Sequence, residues 1–170
     1  MSKNEKTLVV NHLQIEQKIN RMAYEIYEHN FEEKSIVIAG IAPNGYLLAK
    51  KITNVLEKIS PLKIHLLKLN VNKDNPRKEK ISLDPNENDL NNKVVILVDD
   101  VLNSGQTLIY GANYFLSTPL KRLRTAVLVD RNHTRYPVKA DYIGVSLSTT
   151  LQEHIDVALS EKGKEAVYLL

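Results

Sequence analysis

From Lys93 to Val98 the chain runs through its most hydrophobic stretch, Lys93-Val94-Val95-Ile96-Leu97-Val98, and then turns acidic at Asp99-Asp100. Consecutive apolar side chains on a strand point to opposite faces, so a strand built from this run must be buried on both. That is the position of a central strand in a parallel sheet with helices above and below it. Small and polar residues follow, Asn103-Ser104-Gly105-Gln106-Thr107, and the spacing beyond them predicts a helix from about Gln106 to Ser117.

The rest of the chain alternates in the same way. Ile15, Ile19, Met22, Ala23, Ile26 and Tyr27 recur at spacings of three and four, which makes one stripe of a helix within residues 12–30. Ser35 to Ala39 is a second strand-type run, and Leu48, Ile52, Val55, Leu56 and Ile59 repeat the helical pattern after a Pro/Asn/Gly break. Lys63 to Leu69 and Leu123 to Val129 predict two more strands, while Ile143 and Val157 mark shorter β-like pieces. Strands alternating with helices imply an α/β fold, its parallel sheet of about five strands flanked by helices and joined by right-handed crossovers.

There is no internal repeat and no compositionally distinct linker, so residues 1–170 are expected to form a single domain. The chain has no cysteine, which excludes disulfides, thiolate metal sites and a thiol nucleophile, and fits a reducing, cytoplasmic setting. The longest apolar runs are strand-length, so no membrane span is expected. The opening, Met1-Ser2-Lys3-Asn4-Glu5-Lys6 before Thr7-Leu8-Val9-Val10, is too short for a signal-peptide core. A net charge of +3 is too mild to argue for nucleic acid by itself.

The acidic pair closes the most buried strand, and open α/β sheets bind ligands at the carboxyl ends of their strands. A small-residue turn at a helix N-terminus gathers backbone N–H groups at one place, where the helix dipole also favours an anion. Two carboxylates beside such a cradle would repel a bare phosphate. They suit a ligand that also presents hydroxyls, and a sugar phosphate satisfies both halves. Taken singly, the pieces also describe an ordinary strand end and a capped helix; their conjunction favours the ligand site.

Val95 to Thr107 resembles the phosphoribosyl-diphosphate (PRPP) signature of type I phosphoribosyltransferases. Ala126-Val127-Leu128-Val129-Asp130-Arg131-Asn132-His133 and Ala140-Asp141-Tyr142-Ile143-Gly144 resemble the bacterial pyrimidine-operon regulator family, PyrR. The resemblance runs from about residue 12 to 158 and implies a five-stranded parallel core under a small hood, mainly from residues 130–170. It implies that Asp99 and Asp100 bind the ribose hydroxyls, directly or through Mg²⁺ and water. It further implies that Asn103, Ser104, Gly105, Gln106 and Thr107 hold the 5′-phosphate. Tyr142, with Ile143 beside it, would pack on and read the base, and Arg131 would fix the base or pyrophosphate side.

Gly40-Ile41-Ala42-Pro43-Asn44-Gly45 has the glycine spacing of a Walker A loop, but Tyr46 and Leu47 replace its lysine and hydroxyl residue, so a nucleoside-triphosphatase is excluded. In the resembled family this is the pyrophosphate loop, Ala42 to Gly45, usually with Thr-Arg where this chain has Pro43-Asn44. Residues 70–92 hold two prolines and scattered charges and form an expected mobile loop, with Arg77 as its candidate phosphate ligand and catalytic cation. Oxopurine enzymes of the superfamily carry aspartate where this chain has Asn103 and lysine where it has Asp130, which argues against hypoxanthine or guanine. Asn132 stands where the family has glycine. The histidines lack metal-ligand spacing, so no protein-held transition metal is expected.

The expected function is transfer of phosphoribose from PRPP to a nucleobase, uracil foremost, with Mg²⁺ arriving on the substrate and pyrophosphate leaving. The alternative is a sensor of nucleotide or PRPP that regulates RNA with weak or no catalysis, with the basic residues Lys121, Arg122, Arg124, Arg131, Arg135 and Lys139 as its candidate RNA-facing patch. The resemblance also implies a homodimer.

Overall fold

The computed structural model describes residues 5–86 and 89–170; Met1 to Asn4 in the opening segment, and Glu87 and Asn88 in the expected loop, lie outside the described residues. Strand β1 (Thr7–Val10) leads into helix α1 (His12–Asn30), β2 (Ser35–Ile41), α2 (Asn44–Ile59), β3 (Lys63–Asn70), β4 (Ser82–Asp84) and β5 (Val94–Leu102). Helix α3 (Gln106–Leu116) and strands β6 (Arg122–Asp130), β7 (Tyr142–Ser146), β8 (Ile155–Ala158) and β9 (Ala166–Leu169) complete it. Helix α1 starts where Asn11 and Gln14 bond reciprocally, each side chain to the other's backbone N–H at 2.9 Å. A cap of this kind is worth about 1 kcal/mol.

The main sheet has the order β4-β3-β2-β5-β6-β7, parallel except for the β4 edge strand. The period of two explains the unbroken apolar runs. Ile36, Ile38, Ile96 and Val98 pack under α1 and α2 with Ile15, Ile26, Leu48 and Ile52. Their neighbours Val37, Ala39, Val95 and Leu97 face α3 with Leu108 and Phe115.

Three expectations change. Strand β5 does not end at Val98: its pairing with β6 continues to Leu102↔Asp130, so the acidic pair lies inside the strand. The hood is a separate antiparallel sheet, β1-β9-β8, and its outer strand comes from the start of the chain. Residues 142–146 belong instead to the main sheet as β7. The 70–92 stretch is also more ordered than a bare loop, since β4 pairs with β3 and Leu83 and Leu90 are buried in the α3-side core.

Candidate functional site

Strand β2 feeds β3 on one side, and β5 feeds β6 on the other, so the connections diverge between β2 and β5. In open α/β sheets such a divergence opens a crevice at the carboxyl ends of the strands. The β2–β5 pairing stops at Gly40↔Val98, one residue before Asp99. There the chain after β2 peels away into Ala42 to Gly45. Gly45 is pressed so closely on β5 that a Cβ would stand 2.6 Å from the Val98 carbonyl and 2.9 Å from the Asp99 Cα. Only glycine allows that approach.

A cleft of about 290 Å³ opens here, lined by Asp99, Asp100, the segment from Asn103 to Thr107, Lys73, Arg131, His154 and Ile155. Gly105 begins α3 at φ +86°, and a Cβ on it would meet Val138 Cγ1 at 2.5 Å. Both facts demand glycine. The Ser104 carbonyl accepts the N–H groups of Arg135 and Tyr136 at 2.8 and 3.1 Å, and its hydroxyl oxygen accepts the Gln106 N–H at 3.2 Å. The turn is thus braced from behind, while the helix start leaves first-turn N–H groups with no intrahelical acceptor.

The carboxylates share one cation. Lys73 Nζ lies 2.9 Å from Asp99 Oδ1 and 3.4 Å from Asp100 Oδ1. Asp99 is 3% exposed, and burial, followed by the charge of Asp100, pushes its carboxyl up to about 7 despite Lys73. Burial also pushes Asp100 upward, but Lys73, the hydrogen bond with Asp99, Asn44 and the Val101 N–H outweigh it and hold Asp100 below its ordinary value. Burial thus makes Asp99 the member of the pair that is easier to protonate, while Lys73 and the hydrogen bonds favour the ionised form of Asp100. Burial opposes the charge on Lys73, yet the two carboxylates prevail and raise its pKa.

Several expected residues fall elsewhere. Tyr142 is paired in register with Ala126, well below the strand ends, and is 1% exposed beneath α1, where its hydroxyl meets His29 Nδ1 at 2.9 Å. It cannot stack on a base in the cleft. Ile143 packs on the α3 side with Val138 and Ala140, also outside the cleft lining. Arg77 is exposed and does not line the cleft; Lys73, four residues earlier, holds the position expected of it. Ala42, Pro43 and Asn44 flank the cleft without lining it, and Asn44 Nδ2 donates to Asp100 Oδ2 at 3.1 Å and to the Val157 carbonyl at 3.0 Å.

Arg131 does line the cleft, but its guanidinium is bound to the loop before β8 and to Asn103. Asn132 takes φ 60°, a left-handed conformation that asparagine tolerates after glycine best of all, so the backbone turn survives that replacement. His133 Nε2 contacts the Thr149 carbonyl. Of the basic residues expected in a patch, Lys121 and Arg122 pair with Glu33, Arg124 pairs with Asp141, and Arg131 is buried. His154 and Ile155 were missed, because only the hood's return over the sheet brings them to the cleft.

The main sheet, parallel but for β4, thus carries an acidic dyad beside a small-residue turn at its switch point, the architecture of an α/β nucleotide-type fold. The chain belongs to the phosphoribosyl transferase domain family, whose model matches residues 7–162. It is 35% identical over 165 residues to the Bifunctional protein PyrR of Fusobacterium nucleatum, covering 92% of this chain and 93% of that protein. The Bifunctional protein PyrR of Streptococcus suis is 34% identical over 166 residues, with 95% of each covered. A hypoxanthine-guanine phosphoribosyltransferase from Bacillus anthracis superposes with a TM-score of 0.75 at 20% identity, covering 97% of this chain and 98% of that one, and shares the fold.

The family generally couples PRPP to Mg²⁺, and the donor set fits that ion. Two carboxylates offer hard oxygens of the kind Mg²⁺ prefers, and Lys73 already bridges them as a cation. Among the described residues no cluster of three or more His, Asp or Glu side chains forms a cage. The remaining ligands would have to come from substrate and water.

Proposed function

We propose that this protein transfers phosphoribose from PRPP to uracil, releasing pyrophosphate. One observation carries the reading: the Asp99–Asp100 dyad and the Asn103–Thr107 turn open into one cleft. The turn, with the hydroxyls of Ser104 and Thr107, would hold the 5′-phosphate. The dyad would accept the ribose hydroxyls and, with them, fix the ring. Mg²⁺, held by Asp99 and Asp100 through substrate and water, would supply charge neutralisation for the pyrophosphate. Lys73 would turn from the dyad toward the same group. The base nitrogen forms a bond to the anomeric carbon as the bond from that carbon to pyrophosphate breaks; the proton on the nitrogen passes to solvent. Catalysis would rest on positioning and on electrostatics, without a covalent nucleophile. The reading includes a homodimer working in the cytoplasm.

A second reading, a PRPP- or nucleotide-binding regulator of RNA with little turnover, is favoured by Asn44. That residue is bonded to Asp100 where a cation would face pyrophosphate. An assay of uracil, PRPP and Mg²⁺ with high protein concentration separates the two. UMP formed, and lost in Asp100→Asn, supports the transferase; tight PRPP binding without UMP supports the regulator, whose RNA affinity must then fall steeply with salt.

A further inference from the structure

Arg131 does not behave as a mobile phosphate ligand. Its Nε–H donates to Thr149 Oγ1 at 2.8 Å, and Nη2 donates to the carbonyls of Thr150 and Glu153 at 3.0 and 2.7 Å. All three acceptors lie on the segment that leads into β8, and the residue is 5% exposed. The remaining terminal nitrogen, Nη1, donates to Asn103 Oδ1 at 2.9 Å. A guanidinium carries donors only, so the Asn103 atom that faces it must be the carbonyl oxygen. The Asn103 side chain is exposed, lines the cleft, and has no partner for Nδ2 among the described residues.

An asparagine ordinarily offers a donor and an acceptor and turns over to suit its ligand. This one cannot turn without setting N–H against N–H, and Arg131 cannot swing aside because its other donors are held. We infer that Asn103, locked by Arg131, is a donor-only reader of the nucleobase, selecting bases that present a carbonyl oxygen or an unprotonated ring nitrogen to it. Arg131 is then a positioning residue, and the polarity of the base pocket is set by the hood loop that anchors it. A base that turns an N–H toward Asn103 leaves two donors facing each other, which burial makes costly. This inference rests on the phosphoribosyl reading of the cleft.

Calorimetry on the full chain with ribose 5-phosphate, UMP and GMP tests it, because the first ligand fills the same site without a base. At least one nucleotide should bind about tenfold more tightly than ribose 5-phosphate, the size of one added hydrogen bond. Asn103→Leu should remove that advantage, read as the ratio of nucleotide to ribose 5-phosphate affinity within the same variant. Arg131→Met should remove most of it, and the double variant should lose no more than Asn103→Leu alone, since both act through one hydrogen bond. Should Arg131→Met fail to fold, Asn103→Asp serves: it keeps an acceptor for Arg131, replaces the donor, and should lose the advantage as Asn103→Leu does. A nucleotide advantage that is absent in the wild type, survives Asn103→Leu or Asn103→Asp, or falls additively in the double variant overturns the assignment. If ribose 5-phosphate itself does not bind the wild type, the phosphoribosyl reading fails instead.

Discussion

The two ends of the cleft are built to different standards. At the α3 end, a glycine that nothing else can replace sets the turn, and the Ser104 carbonyl is held by two N–H groups from behind. At the α2 end, the loop from Ala42 to Gly45 has no cation of its own, and Asn44 is bonded to the dyad and to the hood strand β8. Among the described residues, the only positive charge on the dyad arrives from outside both loops, on Lys73. The difference teaches that anchoring a phosphate by backbone geometry and stabilising a departing pyrophosphate by charge are separable tasks. A chain can keep the first while altering the second.

The largest effect should come from the rigid end. Gly105→Val has to relieve both the positive φ and the approach to Val138, and should weaken ribose 5-phosphate binding more than about 100-fold while costing about 1–3 kcal/mol of stability. Calorimetry and a melting curve measure the two effects. If phosphate binding persists, the turn is not the anchor.

The next concerns the dyad that lies between the ends. A carboxyl whose folded value is raised from its ordinary 3.8 to about 7 binds its proton more tightly in the folded state. Stability contributed by that proton is present at low pH and is lost as pH rises toward 7. Ligand-free Asp99→Asn should therefore lose less stability between pH 5 and pH 8 than the wild type, by on the order of 2 kcal/mol in urea unfolding. Parallel pH profiles would refute the upward shift of Asp99.

Lys73→Met sharpens the contrast from the other side. PRPP affinity should fall about tenfold, the loss of a charge-assisted contact, while ribose 5-phosphate changes little. An equal fall for both ligands would make Lys73 a support of the dyad alone. The smallest expected effect is a gain: Asn44→Arg returns a cation to the α2 end and should improve PRPP binding about three- to fivefold over ribose 5-phosphate.

How much of this was legible in the sequence follows from the range of each interaction. The strands at Ser35, Lys93 and Leu123 announced themselves because burial on two faces leaves a local, continuous record. The dyad and its turn were equally local. Tyr142 failed as a base ligand because its place depends on register with β6, which puts it opposite Ala126 and under α1. A charged loop does not reveal which cation bends inward, so Arg77 stood in for Lys73. Arg131 was recognised as belonging to the site, but its partners Thr149, Thr150 and Glu153 lie on another segment whose path only the fold sets.

The pairing of β1 with β9 joins Thr7 to Leu169 and so ties together two segments that lie far apart in sequence. Synthesis on a ribosome proceeds from the first residue to the last. The strands of the main sheet have all been made once Ser146 emerges, whereas the three-stranded hood waits for Ala166 to Leu169. The floor of the cleft can therefore assemble early, but its roof waits until residues 166–169 have been made. Removing β9 would leave β1 and β8 without their shared neighbour at one stroke, so the hood sheet as a whole hangs on that one strand.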